Sequence, residues 1–406
     1  MLKTKMVWVT GDGLRFPYGN ASTNRLAEIA KGFQSNGLKA KFIPFSRPAT
    51  LTRGNYNTIK FEYYFDNGKS KYSNKFLTFL NFRSRVATLS EACKKDNVSL
   101  IFCGTSSISS LMILWSVGRK CGIPIVYDIV EDPISSWLAK DLKHFSFKDW
   151  VRHILNLLKL PLIYLLGWKL PNYICAITNE LKHRIISTGV DSKIIYTFPI
   201  VKFISEAESE SITQKPIQDK RATLIHSGST YFPKDGIGTI MESVRFLVEK
   251  DISINLEFYG PIQELESSRI NEFAKKHRLE ENIKVKGLVE LPELFEAQRN
   301  AMALICFKPS IKQNRFNFAT KIIDYLNSGR PVILSDLPVY DSFFEDGKNA
   351  LICNEFNVEA LAEKIEYLYK QPEKANQIGI EGKKILKSEF NSSGLTASLL
   401  TFIDQN

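Results

Sequence analysis

Short apolar runs alternate with longer amphipathic stretches along this chain, and the alternation starts twice. Lys5-Met-Val-Trp-Val-Thr10 reads as a buried strand. From Asn24 to Asn36, Leu26, Ile29, Ala30 and Phe33 recur at a helical period, and Gly37 is placed to end the helix. Ala40-Lys-Phe-Ile-Pro-Phe45, Ser99-Leu-Ile-Phe-Cys-Gly104 and Pro124-Ile-Val-Tyr-Asp128 read as further strands, with a helix from Ile108 to Gly118 between the last two. That rhythm demands parallel βαβ units. The aromatic, polar stretch from Arg53 to Asn81 breaks it and reads as an insertion.

The polar stretch Ser205–Asp219, with its one proline, reads as a connection. Beyond it the rhythm resumes with strands at Ala222–Ser227, Ile254–Tyr259, Ile283–Gly287, Met302–Phe307 and Pro331–Ser335. Helices are expected over Gly238–Lys250, Leu291–Asn300, Lys321–Asn327, Val358–Gln371 and Lys374–Phe390, followed by a short last helix. A chain of 406 residues suits two cores rather than one. The expected layout is an N-terminal α/β domain over 1–203, a second over 204–388, and a C-terminal helix at 389–406 packing back on the first. Two such open sheets face a central cleft, and ligands of open sheets sit at the carboxyl ends of the strands.

Composition narrows the partners. Six scattered cysteines form no C-x-x-C pair, and the five histidines have no metal-ligand spacing, so free thiols in a reducing compartment are expected. The basic start at Met1–Met6 leads into no signal-like apolar stretch, and no run approaches 18 apolar residues, so a cytoplasmic location is expected. The net charge of +11 favours polyanions: nucleic acid, anionic lipid or phosphorylated substrates. The basic residues are spread along the chain, so no nucleic-acid partner is expected.

Three loops carry the chemistry. The first strand is followed by Gly11-Asp-Gly13 and then by Pro17-Tyr-Gly-Asn-Ala-Ser-Thr-Asn24. This loop can cradle an anion at a helix start, or be a turn with a cap from Ser22 or Thr23. It is not G-x-G-x-x-G, because position 16 is Phe, which weighs against a dinucleotide oxidoreductase. The second loop, His226-Ser-Gly-Ser-Thr-Tyr-Phe-Pro-Lys-Asp-Gly236, sets a glycine turn before Lys234. A lysine there can hold a diphosphate as a point charge or lie solvated at the surface. The third is the densest: Phe316-Asn-Phe-Ala-Thr-Lys-Ile-Ile-Asp-Tyr-Leu-Asn-Ser-Gly-Arg-Pro-Val-Ile333. Thr320 and Lys321 stand at a helix start, and Asp324 lies one turn on. That carboxylate can accept ribose hydroxyls or simply favour the helix dipole.

These residues resemble the GT-B glycosyltransferases of family 4, which are retaining enzymes. Gly228 to Lys234, Phe258-Tyr-Gly260, Val285-Lys-Gly287, Leu291–Arg299 and Thr320–Ile333 run in the family's order. Tyr173-Ile-Cys-Ala-Ile-Thr178 and Tyr18–Arg25 extend the likeness into the first half. The resemblance implies two Rossmann-like domains and transfer of a sugar from a nucleotide-sugar donor to a glycan or lipid-linked acceptor. It places the donor on Gly228, Ser229, Lys234, Gly260, Asn317, Phe318, Ala319, Thr320, Lys321 and Asp324. Gly13, Gly19 and Asn20 form the acceptor-side loop, Lys234 is the implied catalytic cation, and Glu131 is read as the catalytic polar group that replaces a family histidine at the cleft. No metal or other cofactor is expected, since there is no D-x-D motif.

The chain departs from the family at three points. The first acid of E-x7-E falls on Phe316, the arginine of the phosphate loop is Ser229, and Val130-Glu-Asp132 stands where many members carry a histidine. The alternatives are a catalytically weak or inactive sugar-nucleotide binding protein, or an epimerase of the same shape. Phe147–Lys169 is apolar with interspersed basic residues, and reads either as a helix lying on an anionic membrane or as a core helix pair broken at Pro161.

Overall fold

The computed structural model describes residues 5–11, 14–16, 20–45, 53–64, 81–104, 107–132, 135, 150–151, 154, 167–204, 222–228, 230–353 and 357–406. The expected connection at 205–219, the loop glycines Gly13 and Gly19, Ser229, and most of 147–169 lie outside them. Two compact units emerge: residues 1–204 with 391–406, and residues 205–390.

In the first unit the strands are β1 (Met6–Gly11), β2 (Lys39–Pro44), β3 (Arg53–Tyr56), β4 (Ile59–Glu62), β5 (Val98–Cys103), β6 (Ile125–Ile129), β7 (Tyr173–Ala176) and β8 (Ile195–Thr197). Their order is β3-β4-β2-β1-β5-β6-β7-β8. Every neighbouring pair is parallel except β3 with β4. The expected insertion from Arg53 is therefore, over 53–62, a hairpin that extends the sheet edge. Its turn residues Asn57 and Thr58 both have positive φ, at 54° and 70°. Two such residues let the turn twist with its strands.

The first long helix spans Ala21–Ser35, starting three residues before the expected Asn24. Its cap is Asn20 rather than Ser22 or Thr23. Asn20 Oδ1 accepts from the Thr23 amide at 2.8 Å and from Thr23 Oγ1 at 2.9 Å. The chain ends in a 14-residue helix, Ser392–Gln405, rather than a short one. It packs on Ala21–Ser35, where Asn36 Nδ2 donates to the Ser393 carbonyl at 2.9 Å and to Thr396 Oγ1 at 3.0 Å. Leu399 joins the core built around Val7, Phe33, Phe42 and Phe102.

The second unit contains β9 (Ala222–Ser227), β10 (Ile254–Tyr259), β11 (Ile283–Gly287), β12 (Ala303–Cys306), β13 (Val332–Ser335) and β14 (Leu351–Cys353). All pairs are parallel, in the order β11-β10-β9-β12-β13-β14. Successive strands run outward from β9 to β11, and the chain then returns to start the other side at β12. Helices Ile237–Val248 and Val358–Lys370 bury Ile240, Val244, Leu361 and Ile365 against the sheet. The reversal between β9 and β12 leaves a crevice beyond their carboxyl ends, the place where open sheets hold ligands.

Candidate functional site

Each strand of the second unit delivers one or two polar residues to that crevice. β9 ends in His226 and Ser227, then Gly228 at φ 100°. β10 ends at Tyr259, followed by Gly260 at φ 121°. The two turns touch: the Gly228 amide donates to the Tyr259 carbonyl at 2.9 Å, and a Cβ on Gly260 would lie 2.6 Å from the Gly228 oxygen. A side chain at Gly260 is excluded both by that contact and by its backbone angle.

The helix Lys321–Ser328 closes the crevice from the other side. Tyr325 anchors it, its hydroxyl accepting from the Ser227 amide at 2.8 Å. Ile322, Ile323 and Leu326 are buried, which turns Lys321 and Asp324 toward the half-buried rim. Lys321 Nζ lies 3.0 Å from His226 Nε2, and a Cβ on Gly228 would sit 3.3 Å from Lys321 Cε. Among the described residues no carboxylate comes within ion-pair distance of Lys321. The nearest acid in electrostatic terms, Asp235, is already engaged. Its Oδ1 accepts from Lys308 Nζ at 2.8 Å and its Oδ2 from the Tyr231 amide at 3.1 Å. Both members of the Lys308–Asp235 pair are buried.

The charges interact. Burial drives the His226 imidazole well below 6.5, and the Lys321 ammonium pushes it the same way. His226 is therefore a neutral acceptor for Lys321. Burial also lowers the Lys321 pKa, and the positive charges of Lys308 and Lys234 add to that. For Asp235, burial opposes ionisation, but Lys308 and Lys321 overcome it and hold the carboxyl below its ordinary value. Three lysines thus surround one carboxylate and one neutral imidazole. Nearby, Thr230 Oγ1 is buried without a hydrogen-bond partner. An excess of positive charge in a crevice shielded from water favours an anion.

The structure brings Gly228, Lys234, Gly260 and Lys321 to this one crevice end, and Asp324 is half-buried one helical turn beyond Lys321. Lys234 is half-buried in the short helix Phe232–Asp235 and close enough for its charge to be felt at Lys321. Asn314 Nδ2 donates to the Lys234 carbonyl at 3.0 Å and to the Pro309 carbonyl at 2.8 Å, tying the two loops together. Asn317 is half-buried and Ala319 buried. The Phe318 ring is 1% exposed and packs among Tyr340, Phe343, Phe344 and Phe390, so only its backbone can meet a ligand. Thr320 is exposed and makes no side-chain cap. The Ile322 and Ile323 amides bond to the Ala319 and Thr320 carbonyls at 3.1 and 3.2 Å. Two of the first-turn amides are therefore spent inside the chain, and side-chain cations carry the greater share of the positive field.

Asn20 and Glu131 belong to the first unit. Asn20 is the helix cap described above, and Glu131 is exposed just beyond β6. Residues that sequence reasoning did not single out are His226, Asp235 and Lys308. His226 sits inside an apolar run and Lys308 just after one, so each passed as part of a strand and its exit.

Residues 208–385 match the family model of the glycosyl transferases group 1. A poly(ribitol-phosphate) alpha-N-acetylglucosaminyltransferase from Staphylococcus aureus is 20% identical over 239 residues, 58% of this chain. The alignment spans 46% of that relative, so the chain covers less than half its length. Among solved structures, a glycosyltransferase from Rickettsia africae superposes with a TM-score of 0.69 at 14% identity over 99% of both chains. Anabaena HepE in complex with UDP and glucose gives 0.67 at 14% identity over the full length of both. Likeness at that level establishes the fold: two Rossmann-like α/β units of the GT-B type.

Proposed function

We propose that this chain is a glycosyltransferase that takes a sugar from a nucleotide-sugar donor. The observation that carries the reading is Lys321 at the β9–β12 reversal, set against Gly228 with no carboxylate among the described residues within ion-pair distance, and with the charge of Lys234 beside it. It lies inside the stretch matched by the group 1 family model. A diphosphate supplies the missing negative charge. Asp324, one helical turn beyond Lys321, is in reach of the donor's ribose hydroxyls. UDP bound to HepE, which shares the fold, agrees in chemistry.

In this reading the sugar keeps its anomeric configuration. The bond from the anomeric carbon to the diphosphate oxygen breaks, and the acceptor hydroxyl bonds to the same face. The hydroxyl proton passes to the departing phosphate oxygen. Lys321 and Lys234 hold the negative charge that gathers there, which favours the transition state over the ground state. No metal is required. The acceptor is a glycan or lipid-linked saccharide of the cell surface, met by Gly13, Gly19 and Asn20, with Glu131 as the polar group at the reacting hydroxyl. The poly(ribitol-phosphate) N-acetylglucosaminyltransferase activity named for the S. aureus relative supports a polymeric, anionic class of acceptor. No helix among the described residues is long and apolar enough to cross a membrane, so a lipid-linked acceptor would be met at the membrane surface.

A thermal-shift screen against UDP, GDP, ADP and CMP tests the first step, because a ligand of the folded state raises its melting temperature. At 100 times its Kd a ligand adds about 2.7 kcal/mol. At least one nucleotide should raise the midpoint, and its sugar conjugate should be turned over with EDTA present. If none of the four moves the midpoint, the reading is wrong.

A further inference from the structure

We infer that Lys308 is a positioning residue whose task is to hold Asp235 away from Lys321, keeping Lys321 available as the anion-binding cation. The inference rests on the donor-site reading above and adds a residue to it. Lys308 follows β12, and its amide is fixed by Ser335 Oγ at 2.9 Å. Its side chain reaches back across the crevice to Asp235 Oδ1. The other carboxylate oxygen is taken by the Tyr231 amide. Asp235 is thereby satisfied on both oxygens, and Lys321 is left with a neutral imidazole.

A lysine and a carboxylate buried in one crevice ordinarily find each other, because the attraction strengthens as water is excluded. A pair formed by Lys321 and Asp235 would cancel the charge that a phosphate needs. Two lysines flank this one acid, and the geometry assigns it to the lysine farther from the glycine turn. The groups facing Asp235 include Lys308, Lys321 and His226, the buried side chains Cys306, Tyr325 and Tyr340, and Lys234 adjacent in sequence. Of these only Lys308 makes an ion pair with it.

The test is the affinity of purified full-length variants for inorganic pyrophosphate and for the best-bound nucleoside diphosphate, by calorimetry at pH 8. Lys308→Met should bind both ligands roughly tenfold or more weakly at pH 8, the scale of one nearby charge. Lys308→Met with Asp235→Asn should return near wild-type affinity at pH 8, a coupling read from the double-mutant cycle. Lys308→Arg should preserve the pair and the affinity. A merely structural role predicts lower melting temperatures but not the rescue by Asp235→Asn. If Lys308→Met does not fold, Asp235→Asn alone decides: it should bind at least as tightly as wild type. Wild-type affinity in Lys308→Met at pH 8, or weakened binding in a folded Asp235→Asn, would overturn the inference. A wild-type protein that binds pyrophosphate but no nucleoside diphosphate would count against the glycosyltransferase reading alone. One that binds neither would overturn both.

Discussion

Each unit carries a buried aspartate–cation pair near the carboxyl ends of its strands, and the two pairs are built to opposite ends. In the first unit Arg25 grips Asp128 through both carboxylate oxygens, Nε to Oδ2 at 2.9 Å and Nη2 to Oδ1 at 2.8 Å. Two of the other three guanidinium donors go to the Pro199 and Phe198 carbonyls at 2.8 and 3.1 Å. The charge is paired, and the group holds helix, strand and loop together. In the second unit the Lys308–Asp235 pair is equally buried, but a further lysine stands beside it with no counter-charge. A closed pair is architecture, whereas a pair with a surplus cation at its side is a site awaiting an anion.

The sharpest way to break that contrast is to open the closed pair. Asp128→Ala leaves a buried arginine uncompensated and should cost about 3–5 kcal/mol of stability. Urea denaturation of the first unit's transition would show it. Nucleotide affinity of the protein that remains folded should be unchanged. A variant that kept its stability but lost nucleotide binding would reverse the roles given to the two pairs.

At the open site the expected loss is in activity. Lys321→Met removes a donor to the leaving group and should lower turnover by about 10²–10³-fold, equivalent to roughly 2.7–4 kcal/mol. Its stability should be equal to or above wild type, because an unpaired buried charge has been taken out. A Lys321→Met protein that lost stability and kept turnover would make this lysine structural as well.

The smallest effect concerns acid. His226 is neutral in the folded chain because its pKa is well below 6.5. Below that pH the unfolded chain takes up a proton that the folded one refuses, so stability falls as pH drops. The slope is about 1.4 kcal/mol per pH unit until the folded pKa is reached. Comparing denaturation midpoints at pH 7.5 and 5.5 should show a smaller acid loss in His226→Gln than in wild type. Equal losses would mean that His226 is not the group the cluster keeps neutral.

The doubly wound α/β architecture was legible in the sequence because β1, β5 and β12 are near-continuous apolar runs and amphipathic helices separate the strands. The glycine turn at Gly228 and the helix start at Lys321 were legible for the same reason, since loops after such strands are where polar residues concentrate. The hairpin at Arg53–Glu62 was not. Its turn uses Asn57-Thr58 where an Asn-Gly pair would have announced it. Nor was either ion pair. Lys308 and Asp235 are 73 positions apart, and Arg25 and Asp128 are 103 apart, so nothing local joins them.

The helix Ser392–Gln405 fills out the core of the first unit, although all of the second unit lies between them in sequence. During synthesis the ribosome completes the second unit before the segment that finishes the first has been made. The earlier half must therefore wait, with part of its core uncovered, until that helix has been made. Deleting the last 16 residues should leave a second unit that still melts cooperatively beside a first unit that chaperones retain.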